Sequence, residues 1–213
     1  RFVDVLPSLR SARAIADHVR QYFREDAPAA VRFGASIARG APFRPVLSQV
    51  VRRSVFAMAD RFIIGATPSE ALPRLRRLVE DGTAFTVDLL GEATFSEREG
   101  DAYLDRYLDL LGALEEAGGW SAPPEVRRPN ISIKLSALTP HFDPAAPEAT
   151  YRAMRGRVMA VLEAARRTRA FVNVDMEQHR FRDLTHRVFE RLLEEPELRS
   201  GPDLGIVVQA YLR

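Results

Sequence analysis

Residues 131–138, Ile-Ser-Ile-Lys-Leu-Ser-Ala-Leu, decide the fold. A short apolar run with polar residues toward its C-terminal end reads as a buried strand. Three further segments share the pattern: 84–90 (Ala-Phe-Thr-Val-Asp-Leu-Leu), 171–177 (Phe-Val-Asn-Val-Asp-Met-Glu) and 205–212 (Gly-Ile-Val-Val-Gln-Ala-Tyr-Leu). Helical spacing fills the gaps between them. Residues 96–117 place Tyr103, Leu104, Tyr107, Leu108, Leu111 and Leu114 on one side, and Ser96 with Glu99 forms a capping box. Residues 150–169 repeat the theme with Met154, Val158, Val161, Leu162 and Ala165. Residues 183–195 do so with Leu184, Val188, Leu192 and Leu193, before Pro196 stops the helix.

Residues 84–212 therefore read β-α-β-α-β-α-β, which implies parallel pairing through right-handed crossovers. An open doubly wound sheet and a (βα)₈ barrel both fit. No G-x-G-x-x-G follows any strand; Leu90-Gly91-Glu92 is the nearest and does not match. The barrel has positive support, because Asp88, Lys134, Asp175 and Gln209 lie within or near the ends of four successive strands. Barrel enzymes keep their chemistry at such positions. Four strands are half a barrel, so the expectation is an α/β chain truncated to the first four βα units, with the C-terminal half absent. Ahead of them, helices are predicted over 11–23, 45–62 and 68–80, with 25–45 as a connector rich in Ala, Gly and Pro. The division expected is a helical segment over 1–66 and the half-barrel over 67–213.

Composition removes several classes. Of 213 residues, 46% are hydrophobic and 28% charged, which excludes wholesale disorder. There is no Cys, so disulfides, thiolate catalysis and Cys-ligated metals are out. No apolar run approaches the ~18 residues of a membrane span, and residues 1–20 lack the apolar core of a signal peptide. Net charge is +2. Arg alternates with Asp and Glu along the helices, so the charge reads as solvated helix faces and no nucleic-acid partner is expected. Among 31 basic residues Lys134 is the only lysine. A compact ammonium at one position, in a chain that otherwise uses Arg, suggests a place where a planar guanidinium will not serve.

Asp88-Leu-Leu-Gly-Glu-Ala93, Ser132-Ile-Lys-Leu-Ser-Ala-Leu138, Asn173-Val-Asp-Met-Glu-Gln178 and Val207-Val-Gln-Ala-Tyr211 occur in this order at strand ends. Together they resemble the flavin-dependent proline dehydrogenases, in the form found in bifunctional proline-utilisation enzymes. The opening Arg1-Phe-Val-Asp-Val-Leu-Pro7 is similar to the segment leading into that domain. The resemblance implies a distorted (βα)₈ barrel with non-covalent FAD at the C-terminal ends of its strands. It implies oxidation of L-proline to Δ1-pyrroline-5-carboxylate, with electrons passed to a membrane quinone. A cytoplasmic location with peripheral membrane association, and a possible fused aldehyde dehydrogenase domain, come with it. By the same resemblance Lys134 pairs with the substrate carboxylate and Asp175 stands at the flavin–substrate boundary. Met176 meets the flavin through its backbone, Gln209 contacts the flavin, and Glu92 is a gate residue that pairs with a substrate-binding arginine. The family's paired arginines and most of its FAD contacts lie on later strands. The chain by itself is therefore expected to have negligible activity and poor FAD affinity.

Other readings stay open at this level. Asp175 and Lys134 can also be read as a structural ion pair, Gln209 as a satisfied core amide, Glu92 as a helix cap, and Asp88, Trp120, Tyr103 and Tyr107 as structural or packing residues. Asp175, Glu177 and His179 alternate and would share a face if the strand ran that far, which suits a divalent metal in a barrel hydrolase or isomerase. A non-catalytic half-barrel scaffold is the third reading.

Overall fold

The structure, a computed structural model, describes residues 63–91, 93–118, 120, 129–176 and 178–210, together with Ser11, Ala14, Gln49 and Arg53. The chain divides into two compact units, residues 1–64 and 65–213. In the first, Ala14, Gln49 and Arg53 are helical, and the Ala14 N–H donates to Ser11 Oγ at 3.1 Å. The helices expected over 11–23 and 45–62, and the connector between them, otherwise lie outside the described residues.

The second unit runs α1 (Pro68–Glu80), β1 (Val87–Asp88), α2 (Glu97–Ala117), β2 (Asn130–Ile133), α3 (Pro147–Thr168), β3 (Phe171–Val174), α4 (Arg182–Leu193) and β4 (Leu204–Ile206). Single 3₁₀ turns at Leu135–Ala137, His179–Phe181 and Pro196–Leu198 follow β2, precede α4 and precede β4. The four strands are parallel and ordered β1-β2-β3-β4. The helices pack in the same order, α1 on α2, α2 on α3, α3 on α4. A doubly wound sheet reverses its strand order at a switch point and carries helices on both faces. Here the order never reverses and one helical layer follows one sheet.

Local chemistry sets the helix ends. Thr67 Oγ1 accepts the Glu70 N–H at 3.3 Å, and Glu70 reaches back to the Ala66 N–H at 2.9 Å. Ser96 and Glu99 repeat the device on α2, with Glu99 accepting from Phe95 N–H at 2.7 Å, one residue ahead of the cap. Gly82, at φ +76, takes the left-handed position that releases the chain after α1. Helix α3 starts at Pro147, three residues earlier than its apolar spacing suggests, because proline is favoured in a first turn where no N–H is needed.

The strands are shorter than the apolar runs that announced them. Only Val87–Asp88 of 84–90 pairs, β2 stops at Ile133, β3 at Val174 and β4 at Ile206. The apolar character continues because the turns beyond are themselves buried: Leu135, Ala137 and Leu138 are at most 2% exposed. Burial, not strand pairing, selected those residues. Leu193, expected inside, is exposed at the last position of α4, and on α1 only Ala71 and Leu75 are fully buried. Tyr107, Leu110, Leu111 and Leu114 of α2 join Met154, Val158, Val161 and Leu162 of α3 and Leu184, Val188 and Leu192 of α4 in the core.

Register then sorts the sheet's two faces. Asp88 stands opposite Ser132, Ser132 opposite Asn173, and Asn173 opposite Gly205. Side chains alternate along a strand, so these four share a face. Two residues on, Lys134 and Asp175 return to it. Ile131, Ile133, Val172 and Val174 occupy the other face and are buried. The buried Tyr107 of α2 lends its hydroxyl oxygen to the Lys134 backbone N–H at 3.1 Å, satisfying a donor that the sheet has released.

On the outside, α3 is tied to the segment after α4. Arg155 Nε and Nη2 donate to the two carboxylate oxygens of Glu195, both at 2.7 Å, and Tyr151 donates its hydroxyl to the same carboxylate. The Arg155 contact, with Tyr151 second, holds the Glu195 carboxyl at about 2, well below its ordinary 4.5. Burial, and then the bond to Glu195, pushes the Tyr151 phenol up to about 12, so it remains a donor.

Two outcomes are expected. Because the folded-state value of Glu195 is depressed, its contribution to stability is present above pH about 4.5 and is lost as pH falls toward about 2. Glu195→Gln should lower the thermal midpoint at neutral pH and remove part of the loss on acidification, read from melting curves between pH 7 and pH 2. Tyr107→Phe leaves the Lys134 N–H buried without its acceptor and should cost about 1–3 kcal/mol, read from urea denaturation.

Candidate active site

The polar face of the sheet converges at the C-terminal ends of its strands. Asp88 closes β1, Lys134 follows β2 directly, Asp175 follows β3 directly, and Gln209 lies three residues beyond β4. Lys134 is 7% exposed. Its Nζ lies 2.6 Å from both Asp88 Oδ1 and Oδ2 and 3.8 Å from Asp175 Oδ2. The first is a two-oxygen, charge-assisted contact; the second is beyond hydrogen-bond range. Asp175 is held from its own side, with Oδ1 accepting the Met176 N–H at 2.8 Å and its N–H donating to Ile133 O at 2.9 Å. Gln209 Nε2 donates to Met176 O at 3.1 Å.

Four of the five residues singled out in the sequence, Lys134, Asp175, Met176 and Gln209, thus form one connected group. Glu92, the fifth, lies outside the described residues. The alternative reading of a Lys134–Asp175 ion pair is present at 3.8 Å, and the nearer carboxylate is Asp88, which had read as structural. The sheet register explains this, because Asp88 opposite Ser132 sits just two residues behind Lys134 on the same face. That alignment of strand ends was the available signal. Tyr107, read as packing alone, also fixes the Lys134 backbone.

The loops around the group are bound together. Thr94, on the segment after β1, donates its N–H to Ser136 O at 3.2 Å, on the turn after β2. Arg157 of α3 donates to Leu138 O at 3.1 Å and pairs with Glu97 and Asp101 at the start of α2. Gly91 lies so close under Tyr103 that a Cβ there would stand 1.6 Å from the phenolic oxygen. A side chain at this position would require the Tyr103 ring to move.

Gln209 Oε1 is buried and has no hydrogen-bond partner among the described residues. An unpaired buried acceptor is costly unless a ligand donor meets it, and the ring N–H of a flavin is a donor of that kind. Gln209 and the neighbouring Met176 backbone therefore fit the edge of an isoalloxazine. The metal arrangement fares differently. Strand β3 ends at Val174, so its alternation does not carry to His179, which is exposed on a 3₁₀ turn. Glu177 lies outside the described residues, and among the described residues no group of three His, Asp or Glu side chains could hold an ion. Among those residues, too, no helix is long and apolar enough to cross a membrane.

Known proteins share the sequence and the fold. The sequence model of the proline dehydrogenase family matches residues 71–213, and that of the proline utilization A N-terminal domain matches residues 1–62. The bifunctional protein PutA of Escherichia coli K12 is 31% identical over 167 residues, which is 78% of this chain and 12% of that protein. A proline dehydrogenase of Deinococcus radiodurans is 28% identical over 169 residues, 79% of this chain and 50% of that protein. The solved structure of proline utilization A from Bdellovibrio bacteriovorus, inactivated by N-propargylglycine, superposes with a TM-score of 0.80 at 34% identity, covering 100% of this chain and 21% of that one. The chain thus spans a small part of the bifunctional relatives and half of the shorter one. With the family model covering most of its length, and its strand-end residues in the order described, the chain belongs to the proline dehydrogenase family.

Proposed function

We propose that this chain supplies the substrate-facing first half of a flavin-dependent proline dehydrogenase barrel, which oxidises L-proline to Δ1-pyrroline-5-carboxylate. The observation that carries the reading is one buried ammonium, Lys134, at the C-terminal end of four parallel strands, linked through Asp175 and Met176 to Gln209, whose amide oxygen is unpaired among the described residues. The singly wound sheet supports a (βα)₈ barrel, and the division proposed for the chain is a helical segment over 1–66 and barrel over 67–213.

Lys134 binds the carboxylate of proline. Its ammonium is a compact cation held by Asp88, and its backbone is fixed by the bond to Tyr107. Gln209 and the Met176 backbone hold FAD, whose chemistry when bound is acceptance of a hydride from the ring carbon next to the proline nitrogen. Asp175 borders both substrate and flavin, and its anchored carboxylate fixes the negative side of the site. Glu92, the residue after Gly91 in the sequence, is the proposed gate residue. Electrons leave to a quinone, which brings the protein to the membrane surface from the cytoplasm, and a fused aldehyde dehydrogenase domain consumes the product.

The visible spectrum of the full-length protein, purified without added cofactor, tests this directly. Flavin bands that bleach on addition of L-proline support the reading. Absence of flavin, even after reconstitution with FAD, overturns it. Lys134→Met should raise KM for proline about tenfold or more while flavin content stays at the wild-type level. An unchanged KM would remove the lysine from the substrate. Lys134→Arg should also be impaired, since a guanidinium cannot occupy the same position; full activity would make the lysine incidental.

A further inference from the structure

Lys134 carries three N–H donors and faces two carboxylates. Asp88 takes the ammonium on both of its oxygens at 2.6 Å, while Asp175 stands at 3.8 Å. Nothing in the charges alone dictates that split, because both acids are on the same face and both are partly exposed, Asp88 at 35% and Asp175 at 29%. Geometry does. Asp88 ends β1, the neighbour in register with β2, and it meets the ammonium symmetrically. Asp175 spends Oδ1 on the Met176 N–H, which turns its carboxylate toward its own backbone.

We propose that Asp88 is a positioning residue for substrate binding: it holds the Lys134 ammonium away from Asp175, leaving one N–H for an incoming carboxylate. Two of the three donors are committed to Asp88, so one remains for a ligand. Without the Asp88 charge, the nearest anion among the described residues is Asp175, and an ammonium in a low-dielectric pocket closes onto its nearest anion. That collapse would occupy the lysine and bury the free oxygen of Asp175 at the same time. Substrate would then have to break an ion pair before binding. The effect falls on substrate affinity, since Asp88 acts through the Lys134 ammonium that it holds.

This inference rests on the proline reading, and two readouts separate their failures. In the full-length protein, Asp88→Asn should raise KM for L-proline about tenfold or more, with kcat within about threefold and flavin content unchanged. In a Lys134→Met background the same substitution should add nothing further to KM, because Asp88 acts only through that ammonium. An unchanged KM, an equal increase in the Lys134→Met background, or a joint loss of flavin and thermal stability would each overturn the proposal. The second readout needs no turnover. A crystal structure of Asp88→Asn should show Lys134 Nζ moved onto Asp175 within hydrogen-bond distance, and an ammonium left in place would overturn the proposal. Wild-type protein whose flavin ignores proline would sink the functional reading, while that crystal structure would still decide whether Asp88 holds the lysine off Asp175.

Discussion

A lysine ammonium that is almost wholly removed from water must find its counter-charge inside the protein, and most of the site follows from where it finds it. Lys134 meets Asp88 at hydrogen-bond distance and Asp175 just beyond it. The three residues come from three strand ends, so satisfying one cation ties β1, β2 and β3 together at their C-terminal side. Stability alone does not call for such a pair, because apolar residues of similar size often serve a core equally well. Under the proposed function the group is a pre-set charge pattern that a zwitterionic ligand would complete.

The two faces of the sheet carry separate duties. Ile131, Ile133, Val172 and Val174 anchor the strands to the helical layer, while the alternate positions carry polar groups. The helices contribute more than cover. Tyr107 of α2 reaches through to the Lys134 backbone, and Arg157 of α3 fastens the turn after β2 to the start of α2. The Arg155–Glu195–Tyr151 contacts lie on the outside and serve the scaffold.

Much of this was legible in the sequence, for identifiable reasons. The alternation of short apolar runs with helical spacing implied parallel strands, and Lys134 announced itself as a single lysine among arginines. Strand lengths were overestimated because buried turns such as Leu135–Leu138 are as apolar as strands. The choice between Asp88 and Asp175 was not legible either. Both acids stand at strand ends, and only the pairing register and the backbone bond that restrains Asp175 show which one takes the ammonium. The unpaired oxygen of Gln209 likewise required coordinates, since a sequence shows an amide but not its partners.

The register has a consequence for how this segment tolerates change in length. Asp88, Ser132, Asn173 and Gly205 form a single row across four strands, and the functional groups are counted from that row in steps of two. Inserting or deleting one residue within β2 or β3 would send Lys134 or Asp175 to the helix-covered side and bring an isoleucine or valine to the mouth. The same event in the connections that enter the strands, such as the stretch before Asn130 or the one between α4 and β4, leaves the count intact. Length variation among relatives should therefore gather on the entry side of the sheet, with the exit side held to a fixed spacing.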